Sequence, residues 1–127
     1  MSVGRRAVSV VAPLAAGVLG FGVALLGLLV HRDATRLASI GVPWGVVLSL
    51  LTSFAVVCAA GALSGAPAAA CAAAGWVGCL LFALQGRPEG DYLLAADAVG
   101  QGFVWGGLAT VGVGFVVGLR LQPPLER

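Results

Sequence analysis

Residues 7–30 read AVSVVAPLAAGVLGFGVALLGLLV, 24 consecutive positions with no charge, in which Ser9 is the only polar side chain. At ~1.5 Å per residue such a helix is about 36 Å long, more than the ~30 Å of hydrocarbon in a bilayer. This run is a membrane span. Three further runs follow it: Pro43–Leu63, whose polar groups are Ser49, Thr52 and Ser53; the Ala-rich Pro67–Leu84; and Gly100–Leu121, with Gln101 at its start, Thr110 inside and Arg120 near its end. The expectation is an all-α polytopic membrane protein, a compact four-helix bundle occupying 1–127 as a single membrane domain.

Composition points the same way. Of 127 residues, 60% are hydrophobic and another 20 are Gly, while 9% are charged, against roughly 25% in soluble domains. Mean hydropathy is +1.05. A water-soluble domain this small leaves about a third of its chain surface wet, too much for so apolar a sequence. A soluble enzyme and a nucleic-acid binder are excluded, and a net charge of +2 is too small to attract a polyanionic partner. The bilayer is the implied partner. The chain has no Lys, no Asn and one Ile, and its basic residues are all Arg, a bias associated with GC-rich bacterial genomes.

Local signals set the ends of the spans. Pro43 stands where a first-turn N–H would be unpaired anyway, and Trp44 suits the interface. In Ser64-Gly65-Ala66-Pro67, Gly65 can take the left-handed C′ conformation and Pro67 can open the next helix, making spans two and three an antiparallel hairpin. Pro13 removes a hydrogen bond inside the first span and predicts a mild kink. Arg5-Arg6 before an apolar run resembles a signal-peptide start. The run is longer than the ~7–15 residues of such a segment and no Ala-x-Ala site follows, so the first helix is expected to be retained.

Arginine placement orients the chain. One side carries Arg5, Arg6, Arg120 and Arg127; the other carries Arg32, Arg36 and Arg87. The first helix usually weighs most, and Arg5-Arg6 immediately precede it. Both termini are therefore expected in the cytoplasm, with the protein in the inner (plasma) membrane.

In lipid, helices associate through close packing of small residues. The first span carries Ala12, Ala16, Gly20 and Ala24 at four-residue steps. The third carries Ala70, Ala74 and Gly78, with Cys71, Gly75 and Cys79 beside them. The fourth holds Gly102-x-x-x-Gly106 and Gly114-x-x-x-Gly118. Packing within one bundle is the plainer reading, and a homodimer seam on the fourth helix the sharper one. Cys58, Cys71 and Cys79 fall within spans and read as small packing residues. The single His, His31, lies in a loop and reads with Arg32-Asp33 as interfacial charge, so no metal site, cofactor or catalytic group is assigned.

Ionisable groups within spans are costly and point to function. None falls near an expected midplane. The nearest is Asp97, four residues before Gln101 and on the same face if the fourth helix begins early. It reads either as a wet first-turn residue favoured by the helix dipole, as a polar site closed against Arg32, Arg36 or Arg87, or as a proton or cation relay. In the preceding loop, Gln85-Gly86-Arg87-Pro88-Glu89-Gly90-Asp91-Tyr92, two Gly and a Pro make a defined turn.

The box Gly86-Arg87-Pro88-Glu89-Gly90-Asp91-Tyr92-Leu93 before a Gly-rich last helix resembles a family of small, uncharacterised four-span actinobacterial integral membrane proteins. The resemblance covers nearly the whole chain and implies fold and compartment, but no activity. The small multidrug resistance transporters share size and span count and depend on a Glu in their first helix; the first span here has no carboxylate. The functional expectation is a structural or accessory component, packing with itself or with a larger membrane complex. The alternative is a small-solute or ion transporter or channel with a polar mouth near Asp97 and Gln101.

Overall fold

The apolar stretches wind into helices because a backbone in hydrocarbon must satisfy its own polar groups. In the computed structural model, which describes residues 3–32, 35–37, 40–85, 94 and 97–122, they form four helices. These are α1 (Val3–Val30), α2 (Trp44–Ser64), α3 (Ala66–Leu84) and α4 (Ala98–Arg120). All four are long and apolar enough to cross a membrane, and together they form an all-α bundle.

Local chemistry fixes the ends. The α2–α3 connection is one residue, Gly65, at φ +85 and ψ −175. Gly65 does not take the expected left-handed C′ conformation: φ is positive but ψ is extended. Gly65 N–H donates to the Gly61 carbonyl, and its own carbonyl accepts from Ala69 N–H, so a single glycine closes one helix and opens the next. α1 runs on through Pro13. Two three-residue strands, β1 (Thr35–Leu37) and β2 (Ile40–Val42), pair antiparallel with Arg36 opposite Gly41; the sequence reading treats this stretch as plain loop. α4 begins at Ala98, two residues before the expected Gly100, because Asp97 caps it: the carboxylate accepts from Gly100 N–H at 2.8 Å.

α1 packs most extensively on α3, and α2 on α4, with lesser seams joining α1 to α2, α2 to α3 and α3 to α4. α3 is the most enclosed helix: 39% of its apolar window is buried, against 28% in each of the other three. That suits a helix whose alanines supply little insertion drive of their own. Its buried face, Ala68, Ala72, Trp76, Cys79, Leu80 and Ala83, joins Ala24, Leu28, Val57, Phe103 and Val111 in one core. We call the end holding residues 31–43 the loop end, and the end holding Gly65 the turn end.

Candidate functional site

The hydroxyls of α2 are satisfied close to home. Ser49 donates to the Gly45 carbonyl at 2.5 Å, Ser53 to the Ser49 carbonyl at 2.7 Å, and Thr52 to the Leu48 carbonyl at 2.8 Å. Such bonds one turn back let a hydroxyl enter hydrocarbon without an orphan group. Trp76 Nε1–H donates to Ser53 Oγ at 2.9 Å, joining α3 to α2. The Trp76 indole packs on Phe103 with ring centroids 5.9 Å apart, and Phe103 in turn packs on His31 at 5.2 Å. A buried column of aromatic rings thus runs from the middle of α3 to the loop end.

His31 is the residue that sequence reasoning missed. It is 1% exposed, buried rather than interfacial. Its Nδ1 lies 2.7 Å from the Leu28 carbonyl; a carbonyl only accepts, so Nδ1–H is the donor. Nε2 is buried with no partner among the described residues. The next residue, Arg32, donates through Nη2 to Asp97 Oδ2 at 2.9 Å, tying the end of α1 to the cap of α4.

Asp97 and Gln101 are not drawn into one site. Asp97 engages Gly100 N–H and Arg32 at the exposed surface. The Gly100 bond, foremost, and the Arg32 guanidinium hold its carboxyl below the usual carboxylate range, against partial desolvation. Gln101 instead accepts from Trp105 Nε1 at 2.9 Å along exposed α4. Arg87, with the whole 86–93 box, lies outside the described residues, as does the Arg36 side chain.

The small residues divide by face. On the α1–α3 seam a Cβ at Gly20 would collide with the Ala72 carbonyl, and one at Gly75 with the Gly17 carbonyl. Ala16 is buried on the same side of α1. On the α2–α4 seam a Cβ at Gly118 would stand 2.6 Å from the Cys58 carbonyl, and one at Gly114 would stand 3.1 Å from that of Phe54. Gly106 faces the Leu50 side chain at 3.2 Å, while Gly78 and Gly102 point outward with no described atom within 4 Å. Four glycines outside those ladders also make close approaches: Gly27 to the Phe103 ring, Gly45 to the Val30 carbonyl, Gly61 to Gly118, and Gly107 to the indole edge of Trp76. Cys58 and Cys79 are buried and Cys71 partly so. Among the described residues no three His, Cys, Asp or Glu gather as a metal site.

The profile of DUF6113, a family of unknown function, matches residues 5–127. The chain belongs to this family. No curated protein and no solved structure matches it. The DUF6113 chain is therefore a small membrane protein of four apolar helices, and its chemistry must be argued from the residues above.

Proposed function

We propose that this DUF6113 protein is a structural or accessory component of the membrane, packing with itself or with a larger membrane complex, and that it catalyses no reaction. The observation that carries this reading is the way the interior is closed. Backbone lies on backbone along the α1–α3 and α2–α4 seams, and Trp76 with Phe103 fills the space between. The polar groups once available for a path are engaged elsewhere, Asp97 as a cap and surface ion pair and Gln101 by Trp105. A helix pair packed this way is rigid and offers its outer faces, not its interior, to other molecules.

Placement in the inner (plasma) membrane with both termini cytoplasmic belongs to the same proposal. It is supported by Arg5-Arg6 before the first span and by the positive-inside tendency. An actinobacterial origin, with the 86–93 box as a family mark, is supported by the Ala, Val, Gly and Arg bias and by the resemblance of that box.

The alternative is a small-solute or ion transporter. One observation favours it, the buried Nε2 of His31 at the loop end, without a partner among the described residues, since polar groups inside membrane proteins often mark pathways. The two readings separate cleanly. Extraction in mild detergent should yield the chain as a homo-oligomer or in fixed stoichiometry with a membrane partner, with no solute or ion flux in liposomes. A monomer that conducts, with conduction lost in His31→Phe, would overturn the accessory reading.

A further inference from the structure

The end of α1 is held to two helices by different means. Against α2 the hold is backbone on backbone: a Cβ at Gly45 would collide with the Val30 carbonyl and stand 3.1 Å from the His31 carbonyl carbon. Against α4 it is made by side chains. Among the described residues α1 and α4 share no extended seam. They meet where the His31 ring lies on Phe103 at 5.2 Å, where a Cβ at Gly27 would stand 2.9 Å from Phe103 Cε2, and where Arg32 reaches Asp97.

His31 is the centre of this joint. Its ring is enclosed, Nδ1–H donates to the Leu28 carbonyl, and Nε2 is buried without a partner among the described residues. With Nδ1–H engaged, the one further proton an imidazole can take goes to Nε2. There it would be a buried, charged donor with no acceptor, a costly group to enclose. No described group is free to receive it. On α1, Arg32 is itself a cation. On α4, Asp97 has Oδ1 on Gly100 N–H and Oδ2 on Arg32, and Arg120 stands at the far end. In α2 and α3 the titratable side chains are Cys58, Cys71 and Cys79. The side chains of Asp33, Arg36, Arg87, Glu89 and Asp91 lie outside the described residues. The Phe103 ring can offer its face to a cation but supplies no oxygen or nitrogen acceptor. Water can, once the cover over the ring is lifted.

We propose that His31 is an acid-operated latch: a proton at Nε2 releases the first turns of α4 from the end of α1, and water enters over Phe103. The Val30–Gly45 contact keeps α1 on α2, so α4 is the side that yields. The Arg32–Asp97 pair is exposed, holds weakly for that reason, and gives way with it. Trp76, tied to Ser53, is the floor of the opening. The latch is independent of whether the chain is an accessory component or a transporter, since it concerns how the loop end opens and not what the chain carries.

The test is hydrogen–deuterium exchange of the full chain in mild detergent at pH 7.5 and 5.0, with intrinsic exchange rates divided out. A closed form that excludes the proton and an open form that takes it at the ordinary imidazole value of ~6.5 make opening about 30-fold more favourable over this range. Protection across 98–104 should fall by that factor, and protection around Gly65 should not change. His31→Phe keeps a ring on Phe103 and removes the titration, so its protection should be the same at both pH values. His31 is the single histidine, so nitrogen NMR follows its ring without ambiguity, and ring protonation should track the loss of protection. Unchanged protection in the wild type overturns the latch, and so does a fall that persists in His31→Phe. If His31→Phe does not fold, the NMR titration decides: protonation in step with the loss of protection supports the latch, and a ring that takes its proton while 98–104 stays protected overturns it.

Discussion

Gly75→Ala tests whether the α1–α3 seam sets the stability of the bundle. The new Cβ would stand 2.9 Å from the Gly17 carbonyl carbon and 3.1 Å from Phe21 N, where ordinary contact begins near 3.4 Å. These are backbone atoms, and the Gly17 carbonyl oxygen lies closer still, so no rotamer change relieves the clash and α1 must retreat by about 1 Å. A gap of that size forfeits a quarter to a half of each pairwise attraction. With ~20 atom pairs near the contact at ~0.15 kcal/mol each, the loss is about 1–2 kcal/mol, within the ~1–3 kcal/mol found for overpacked cores. Gly78→Ala, three residues on and facing outward, is the matched control and should stay within about 0.5 kcal/mol of wild type. Gly20→Ala meets the same seam from the other helix. Once Gly75→Ala has opened the seam, adding Gly20→Ala should cost less than it does alone. The assay is reversible unfolding in mixed mild detergent and SDS, followed by circular dichroism. Gly75→Ala no more destabilising than Gly78→Ala would refute the argument.

Trp76→Phe keeps a ring in the core but removes the bond to Ser53; about 1–2 kcal/mol of stability should be lost in the same assay, and a neutral result would mean that the bond does nothing for the fold. Asp97 has its carboxyl lowered, so its contribution is present above the unfolded value of ~3.9 and is lost as pH falls through the lower folded value. The melting temperature should therefore drop on acidification below about pH 4 in the wild type, and that part of the drop should be missing in Asp97→Ala. Asp97→Ser, which keeps a capping oxygen but not the ion pair, should retain more stability than Asp97→Ala; equality of the two would make Arg32, not the cap, the partner that matters. Reporter fusions after Leu63 and Leu84 should lie in opposite compartments, the first cytoplasmic, and Ala74→Cys should resist aqueous thiol reagents; the same compartment for both fusions would remove the third span.

The spans are legible in the sequence because a 20-residue apolar run has few alternatives. What cannot be read there is which way each small residue faces. A helix that is apolar all round carries no marked stripe, so Gly78 and Gly75 look alike in sequence, although one faces outward and the other sits against the Gly17 carbonyl. Asp97 is different, since Asp before an apolar run is a capping signal; reading it that way would have started α4 at Ala98. His31 was hidden by its neighbours. Beside Arg32 and Asp33 it reads as charge, while its burial comes from Phe103, some 70 residues away in the chain, and from the start of α2. Nothing local announces such cover.

The interleaved pairing of helices has a consequence for how the chain is made. Each helix has its largest seam with the next but one, α1 with α3 and α2 with α4. When α2 leaves the ribosome, the glycine face of α1 still waits for a helix not yet synthesised, and α3 completes that seam while leaving α2 waiting in turn. No consecutive pair is a finished half. A chain cut at Gly65 would yield two hairpins whose best contacts lie entirely in each other, so the halves should recover the fold only when made together in one membrane. Assembly is thus deferred to the last span, and a ribosome that stalls before α4 leaves the Gly-facing surface of α2 open to whatever helix is nearest.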